Sequence, residues 1–229
     1  MLVLDRPAPP VDTQALLTHA RSLAGQTLGQ IANRLHIPVP DDLQHTKGWQ
    51  GQLIEIALGG VDTTFAGPDF PKLGIELKTI PLDYRGLPKE STYVCAIELS
   101  DIHGQQWKTS LVYKKLKQVL WIPIEADKHI SIAERHLGMP LLWSPDETQE
   151  EILKTDWEEH MEKISLGCIA EITAHMGNVL QVRPKAASGK IRRKGSNAQG
   201  EINDMLPRGF YLRPSFTTEI LKQHFIHPA

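Results

Sequence analysis

The sequence predicts a mixed α/β or α+β domain, and three observations predict it. Segments with the 3.6-residue apolar period of helices are interspersed with short apolar or alternating runs of strand length. These alternate irregularly, without the strand, helix, strand rhythm of a barrel or a dinucleotide fold. Over 229 residues, 41% hydrophobic and 23% charged side chains are globular proportions that exclude a disordered chain or a fibrous repeat.

A lead broken by prolines ends where Asp12 or Thr13 can cap a first helix whose apolar face is Ala15, Leu16, Ala20 and Leu23, with Gly25 as its stop. Thr27 and Gln30 form a capping box for a second helix through Leu28, Ile31, Ala32 and Leu35, halted before Pro38. A third helix is expected over Gly48–Leu58. Strands are expected over Gly74–Ile80 and Thr92–Leu99, and again at Val119–Ile124, which reads as buried on both faces with Pro123 marking its end or an edge. A long helix follows over Asp146–Leu166. Strands at Ile169–Ala174 and Val179–Val182 then flank a Gly177-Asn178 turn, and a Gly/Ser/Lys/Arg-rich loop spans Ala186–Asn203. A strand over Gly209–Arg213 and a helix over Ser215–Phe225 close the chain.

No apolar run reaches membrane-spanning length, and Met1–Pro10 is not a basic start followed by an apolar stretch, so a soluble, unexported, cytoplasmic protein is expected. Cys95 and Cys168, far apart in sequence, suggest buried reduced thiols. No phosphate-loop, dinucleotide or serine-hydrolase motif is present. A formal net charge of −2 argues by itself against nucleic acid. By segment the picture changes. Asp146–Glu162 holds eight acids against one base, whereas Arg183–Arg213 holds eight bases against two acids, and Lys108, Lys114, Lys115 and Lys117 interleave with Trp107 and Tyr113. Basic surfaces facing a phosphate backbone, with an acidic helix held away, compete with the plainer reading of solvated faces.

The most informative stretch is Gly67-Pro68-Asp69-Phe70-Pro71-Lys72-Leu73-Gly74-Ile75-Glu76-Leu77-Lys78-Thr79-Ile80. A strand has a side-chain period of two, so Glu76 and Lys78 share one face, and Asp69 needs only a turn to come alongside. Mg²⁺ takes oxygen ligands and is usually held by one or two carboxylates plus substrate phosphate, which Asp69 and Glu76 suit. A lysine beside it can orient or deprotonate the attacking water and offset charge building on the phosphorus oxygens. Acid, acid and lysine at this spacing resemble the PD-(D/E)xK nuclease group; a surface Glu–Lys pair is the plain alternative. Glu55, in the apolar segment Leu53-Ile54-Glu55-Ile56, is a costly place for a carboxylate unless a positive partner serves it.

Lys47-Gly48-Trp49, Leu53-Ile54-Glu55-Ile56, Asp69-Phe70, Gly74-Ile75-Glu76-Leu77-Lys78-Thr79-Ile80-Pro81, Val119-Leu120-Trp121-Ile122-Pro123, Pro140-Leu141-Leu142-Trp143-Ser144-Pro145, Arg183-Pro184-Lys185-Ala186-Ala187 and Leu206-Pro207-Arg208-Gly209-Phe210-Tyr211-Leu212 together resemble the MutH family of DNA mismatch repair endonucleases, from about Asp12 to Phe225. The resemblance implies a restriction-endonuclease-like mixed sheet flanked by helices. It implies a single domain over 1–229, clamp-shaped around a DNA cleft, with a catalytic arm over about 12–105 and a DNA-reading, partner-binding arm over about 106–225. It implies Mg²⁺-dependent nicking of the unmethylated strand 5′ of the guanine at hemimethylated GATC sites by a monomer activated by MutL with MutS. By the same resemblance Asp69, Glu76 and the Leu77 carbonyl hold the metal, Lys78 is the catalytic lysine and Glu55 the supporting acid, and Lys115 lies near the scissile phosphate. Lys47, Gly48, Arg183, Pro184 and Lys185 read or contact DNA, as do Tyr211 and Tyr93, the latter standing where a phenylalanine is expected. Two other readings compete: a free-standing GATC restriction endonuclease, and a catalytically inactive DNA-binding scaffold.

Overall fold

The computed structural model describes residues 6–43, 46, 48–60, 67–98, 104–185, 193–196 and 202–225. The fold is mixed α/β, with a mixed sheet flanked by helices, and it divides into two compact units. One is built from 1–89 and 118–144, the other from 90–117 and 145–229. Each unit is assembled from two stretches of chain.

In the first unit, local signals place the helices where the sequence expects them. Asp12 caps α1 (Thr13–Leu23) by accepting the Ala15 N–H at 2.7 Å. The Thr27–Gln30 capping box opens α2 (Leu28–Arg34). α3 (Trp49–Ala57) begins at Gly48, whose φ of 91° is left-handed and favours glycine. The sheet has strand order β1 (Glu76–Leu82), β3 (Val119–Glu125), β4 (Leu141–Trp143), with β1 and β3 parallel and β4 antiparallel. Six of the seven residues of β3 are buried, because it is the central strand with both faces covered. Leu16, Leu23, Leu28, Ile31, Leu53, Ile54, Leu120 and Ile122 pack into one core beneath the helices.

Pro123 lies inside β3, which continues to Glu125, so it does not end the strand. Its carbonyl accepts the Gly138 N–H at 2.8 Å, and the missing N–H points to that same side, where β4 pairs only as far as Trp121. The ladder to β1 is untouched.

The second unit carries an antiparallel sheet in the order β2 (Thr92–Ala96), β8 (Arg208–Leu212), β5 (Leu180–Pro184), with α5 (Glu147–Ser165) packed on β5. It also holds α4 (Leu111–Leu116) and α6 (Pro214–Phe225). Residues 169–174 are not a strand: Ile169–Glu171 form a 3₁₀ turn, and Ile169 and Ile172, three apart as that helix requires, are both buried. β6 (Arg193–Ser196), in the segment read as a loop, pairs antiparallel with β7 (Ile202–Met205), which runs past that segment's end.

Several charges expected on solvated faces are structural. Asp156, counted with the acidic face of the long helix, is fully buried and accepts the N–H groups of Asn178, Val179 and Leu180 at 2.7–2.8 Å and the Asn178 amide at 3.0 Å. Arg213 donates to the carbonyls of Ala174, Met176 and Gly177, and Arg208 donates to those of Ala170 and Ile172. Lys108 pairs with Glu150, which also accepts the buried Trp107 indole N–H. Asp156, Arg208 and Arg213 thus serve main-chain groups of the fold, while Lys108 remains exposed beside its carboxylate. Cys95 is buried as expected, while Cys168 is partly exposed. Among the described residues no helix is long and apolar enough to cross a membrane.

Asp156→Ala strips the acceptor from a run of backbone N–H groups at the start of β5. It should lower stability by about 3 kcal/mol, since each buried donor left without a partner costs roughly 1–3 kcal/mol. Urea unfolding of the two proteins measures it; a loss under about 0.5 kcal/mol would contradict the anchoring role.

Candidate active site

The first unit gathers four predicted residues at one turn and strand junction. Phe70 and Ile75 exchange backbone hydrogen bonds (2.9 and 3.3 Å) and are both buried, so the loop between them closes tightly through Gly74, whose φ is 69°. That closure folds Asp69 back along the strand, where its Oδ2 accepts the Leu77 N–H at 2.8 Å. The Glu76 N–H points to β3, donating to Gln118 at 3.0 Å, so Leu77 faces the outer edge of the sheet. The N–H and C=O of one strand residue point the same way, which turns the Leu77 carbonyl toward the Asp69 side as well.

Glu76 and Lys78 do share a face: Lys78 Nζ lies 2.6 Å from Glu76 Oε1. The pair is not the surface couple of the plainer reading, because the Glu76 side chain is 2% exposed and that of Lys78 11%. Burying two charges costs more than a surface pair returns, so the arrangement needs a reason other than stability. α3 packs on β1 and carries the half-buried Glu55. The chain after α3 turns closely over it: a Cβ on Gly60 would lie 2.4 Å from Glu55 Cγ. Gly48 sits exposed at the other end of this helix; Lys47 lies outside the described residues.

The donor set suits a hard cation. Two carboxylates and a main-chain carbonyl are all oxygen, and Mg²⁺ commonly takes one or two carboxylates and completes its shell with water and phosphate. Among the described residues no group of three His, Cys, Asp or Glu side chains is placed to hold a metal by itself. Mg²⁺ asks for fewer protein ligands than that, one or two carboxylates, and Asp69 and Glu76 are of that chemistry.

The second unit brings Tyr93, Arg183, Pro184, Lys185 and Tyr211 together. Tyr93 on β2 and Tyr211 on β8 are register partners, their rings edge to face with centroids 5.2 Å apart. Arg183 and Lys185 lie at the end of β5, with the guanidinium 5.9 Å from the Tyr211 ring and the ammonium 4.7 Å from the Tyr93 ring. Pro184, between them, pairs with Arg208 in register. Burial raises the Tyr211 phenol above its ordinary range, with Tyr93 adding to it and Lys185 and Arg183 opposing, so the hydroxyl keeps its proton at neutral pH. Lys115 stands in the last turn of α4. Gly209 makes the tyrosine pair possible: a Cβ there would meet Tyr93 Cε2 at 2.9 Å and the Cys95 carbonyl at 2.8 Å.

Sequence reasoning missed two residues of this cluster. Ser91 accepts hydrogen bonds from Gln181 Nε2 (2.7 Å) and Arg183 Nη1 (2.9 Å). A glutamine inside an apolar strand, two residues before Arg183, was the available signal, because a buried amide needs a partner.

A family model described as DNA mismatch repair enzyme MutH matches residues 62–156. The DNA mismatch repair protein MutH of Shewanella baltica (strain OS185) is 47% identical over 222 residues, covering 97% of this chain and 100% of that protein. The protein of the same name from Histophilus somni (strain 2336) is 50% identical over 213 residues, covering 93% of this chain and 95% of its own length. That from Klebsiella pneumoniae (strain 342) is 48% identical over 219 residues, or 96% and 95% of the two chains.

Glu76→Ala leaves the Lys78 ammonium buried without its carboxylate. Without divalent cations it should cost about 3–5 kcal/mol, whereas Glu76→Ala with Lys78→Met should recover most of that loss. Denaturant unfolding of the set decides it; equal stability of single and double variants would contradict the buried pair.

Proposed function

The chain belongs to the MutH family of DNA mismatch repair enzymes, and from that premise we propose that it is a Mg²⁺-dependent endonuclease acting on double-stranded DNA. It nicks the unmethylated strand 5′ of the guanine at unmethylated or hemimethylated GATC sites, as a cytoplasmic monomer activated by MutL with MutS. The observation that carries this reading is the buried Glu76–Lys78 pair, held beside an Asp69 carboxylate that is fixed on the Leu77 N–H.

In this reading Asp69, Glu76 and the Leu77 carbonyl hold the ion, and Glu55 supports them from α3. When bound, the ion supplies positive charge against the phosphoryl oxygens. Lys78, kept on the strand face by Glu76, orients the attacking water and offsets the charge that builds as the phosphorus–oxygen bond breaks. Asp69 cannot swing away without breaking its hydrogen bond to Leu77, so its position is set before substrate arrives. Lys115 contacts the backbone near the scissile phosphate.

In this reading the metal-holding acids and Lys78 belong to the first unit, Arg183, Pro184, Lys185, Tyr93 and Tyr211 of the second read DNA, and Lys47 and Gly48 also contact it. Arg183 reads a guanine edge in the major groove, the commonest specific contact, while Pro184 and Lys185 fix the register. A neutral Tyr211, packed edge-on against Tyr93, is a rigid surface against which an adenine methyl group collides or loses a hydrogen bond. One such contact is worth about 1–3 kcal/mol. A modest net charge makes non-specific binding weak and favours recruitment by a partner.

Strand-resolved cleavage of hemimethylated GATC duplex with Mg²⁺ tests the reading. Nicks confined to the unmethylated strand, and accelerated by MutL, are expected; no nick with MutL present would overturn it, and double-strand scission without a partner would favour a restriction enzyme.

A further inference from the structure

Behind the tyrosine pair, two donors converge on one oxygen. Ser91 precedes β2, and its Oγ accepts Gln181 Nε2 at 2.7 Å and Arg183 Nη1 at 2.9 Å. Gln181 and Arg183 lie two apart on β5 and therefore on one face. Gln181 is 4% exposed and stands opposite Tyr211 in the ladder, so its amide is held by packing, whereas Arg183 is exposed at the strand end.

An exposed arginine ordinarily samples many rotamers, and holding it in one costs side-chain entropy. Here one nitrogen of the fork is tied to a hydroxyl that a buried glutamine also holds, and the Tyr211 ring flanks the guanidinium at 5.9 Å. The serine oxygen is an acceptor in both bonds, so alanine removes the tie and threonine keeps it.

We propose that Ser91 is a positioning residue for base reading: locked by Gln181, its hydroxyl sets the rotamer of Arg183, so that discrimination at one base pair depends on a side chain acting through that arginine. This rests on the base-reading role proposed for Arg183. It extends the site to a serine and a glutamine that make the arginine rigid before DNA arrives, the condition under which a bidentate contact discriminates most.

The test compares wild type, Ser91→Ala, Ser91→Thr, Arg183→Ala and the Ser91→Ala/Arg183→Ala double variant on hemimethylated GATC duplex and on duplexes with one base pair of the site substituted. Ser91→Ala should lower the ratio of kcat/KM between cognate and substituted duplexes about tenfold, mainly through KM. Ser91→Thr should restore the ratio, and Ser91→Ala should add nothing once Arg183 is gone. An unchanged ratio overturns the inference, as does a full additional loss in the double variant. A uniform loss on every duplex with a lowered Tm also overturns it, leaving Ser91 a purely structural role. Should wild type fail to nick GATC, the functional reading falls, and ¹⁵N relaxation of the Arg183 side chain in the free protein still decides the Ser91 claim: Ser91→Ala must release the guanidinium and Ser91→Thr must not.

Discussion

Two opposite charges, 2.6 Å apart and almost wholly removed from water, set the terms on which the first unit of this protein folds. Taking a carboxylate and an ammonium out of water costs several kcal/mol each, and their attraction returns that only in good geometry. The surrounding sequence supplies the geometry. β1 starts at Glu76 and runs parallel to β3, whose apolar side chains fill both faces, so the pair cannot escape by slipping register without exposing that core. Phe70 and Ile75 shut the preceding turn, and that turn delivers Asp69 to the Leu77 N–H. Replacing a buried ion pair with well-packed apolar residues is often neutral or stabilising, so stability alone does not account for this one. The pair instead matches the needs of the proposed hydrolytic site, oxygen donors beside one cation.

The second unit solves a different problem with different means. Its antiparallel sheet carries cations over aromatic rings, Arg183 beside Tyr211 and Lys185 beside Tyr93, with Gly209 leaving room for the rings. Cation–aromatic contacts hold a positive group in place while leaving its donors available, which suits recognition of an anionic, hydrogen-bonding partner. Arg208 and Arg213, only a few residues away, bind main-chain carbonyls of 170–177 instead. A count of basic residues along the chain therefore overstates the surface open to phosphate.

Features written in local chemistry were legible from the sequence. The Asp12 cap, the Thr27–Gln30 box and the apolar run of β3 depend on neighbours a few residues apart, and the structure has them in place. The shared face of Glu76 and Lys78 follows from strand period alone, but its burial does not, because burial depends on what packs above it. Tertiary partners also decided the misread segments. Ile169 and Ile172 resembled strand residues until Arg208 captured the Ala170 and Ile172 carbonyls. Asp156 resembled a surface acid until the Asn178–Leu180 N–H groups turned toward it. Ser91 carried no signal because its role depends on Gln181 and Arg183, some ninety positions along the chain.

In the proposed reaction the lysine of the buried pair acts on the scissile phosphate and not on DNA affinity. Single-turnover cleavage of bound GATC duplex by Lys78→Ala, with affinity measured on the same duplex, tests it most directly. A rate lowered by about 10²–10⁴-fold with affinity retained is expected; cleavage at the wild-type rate would rule out a role for Lys78 at the phosphate.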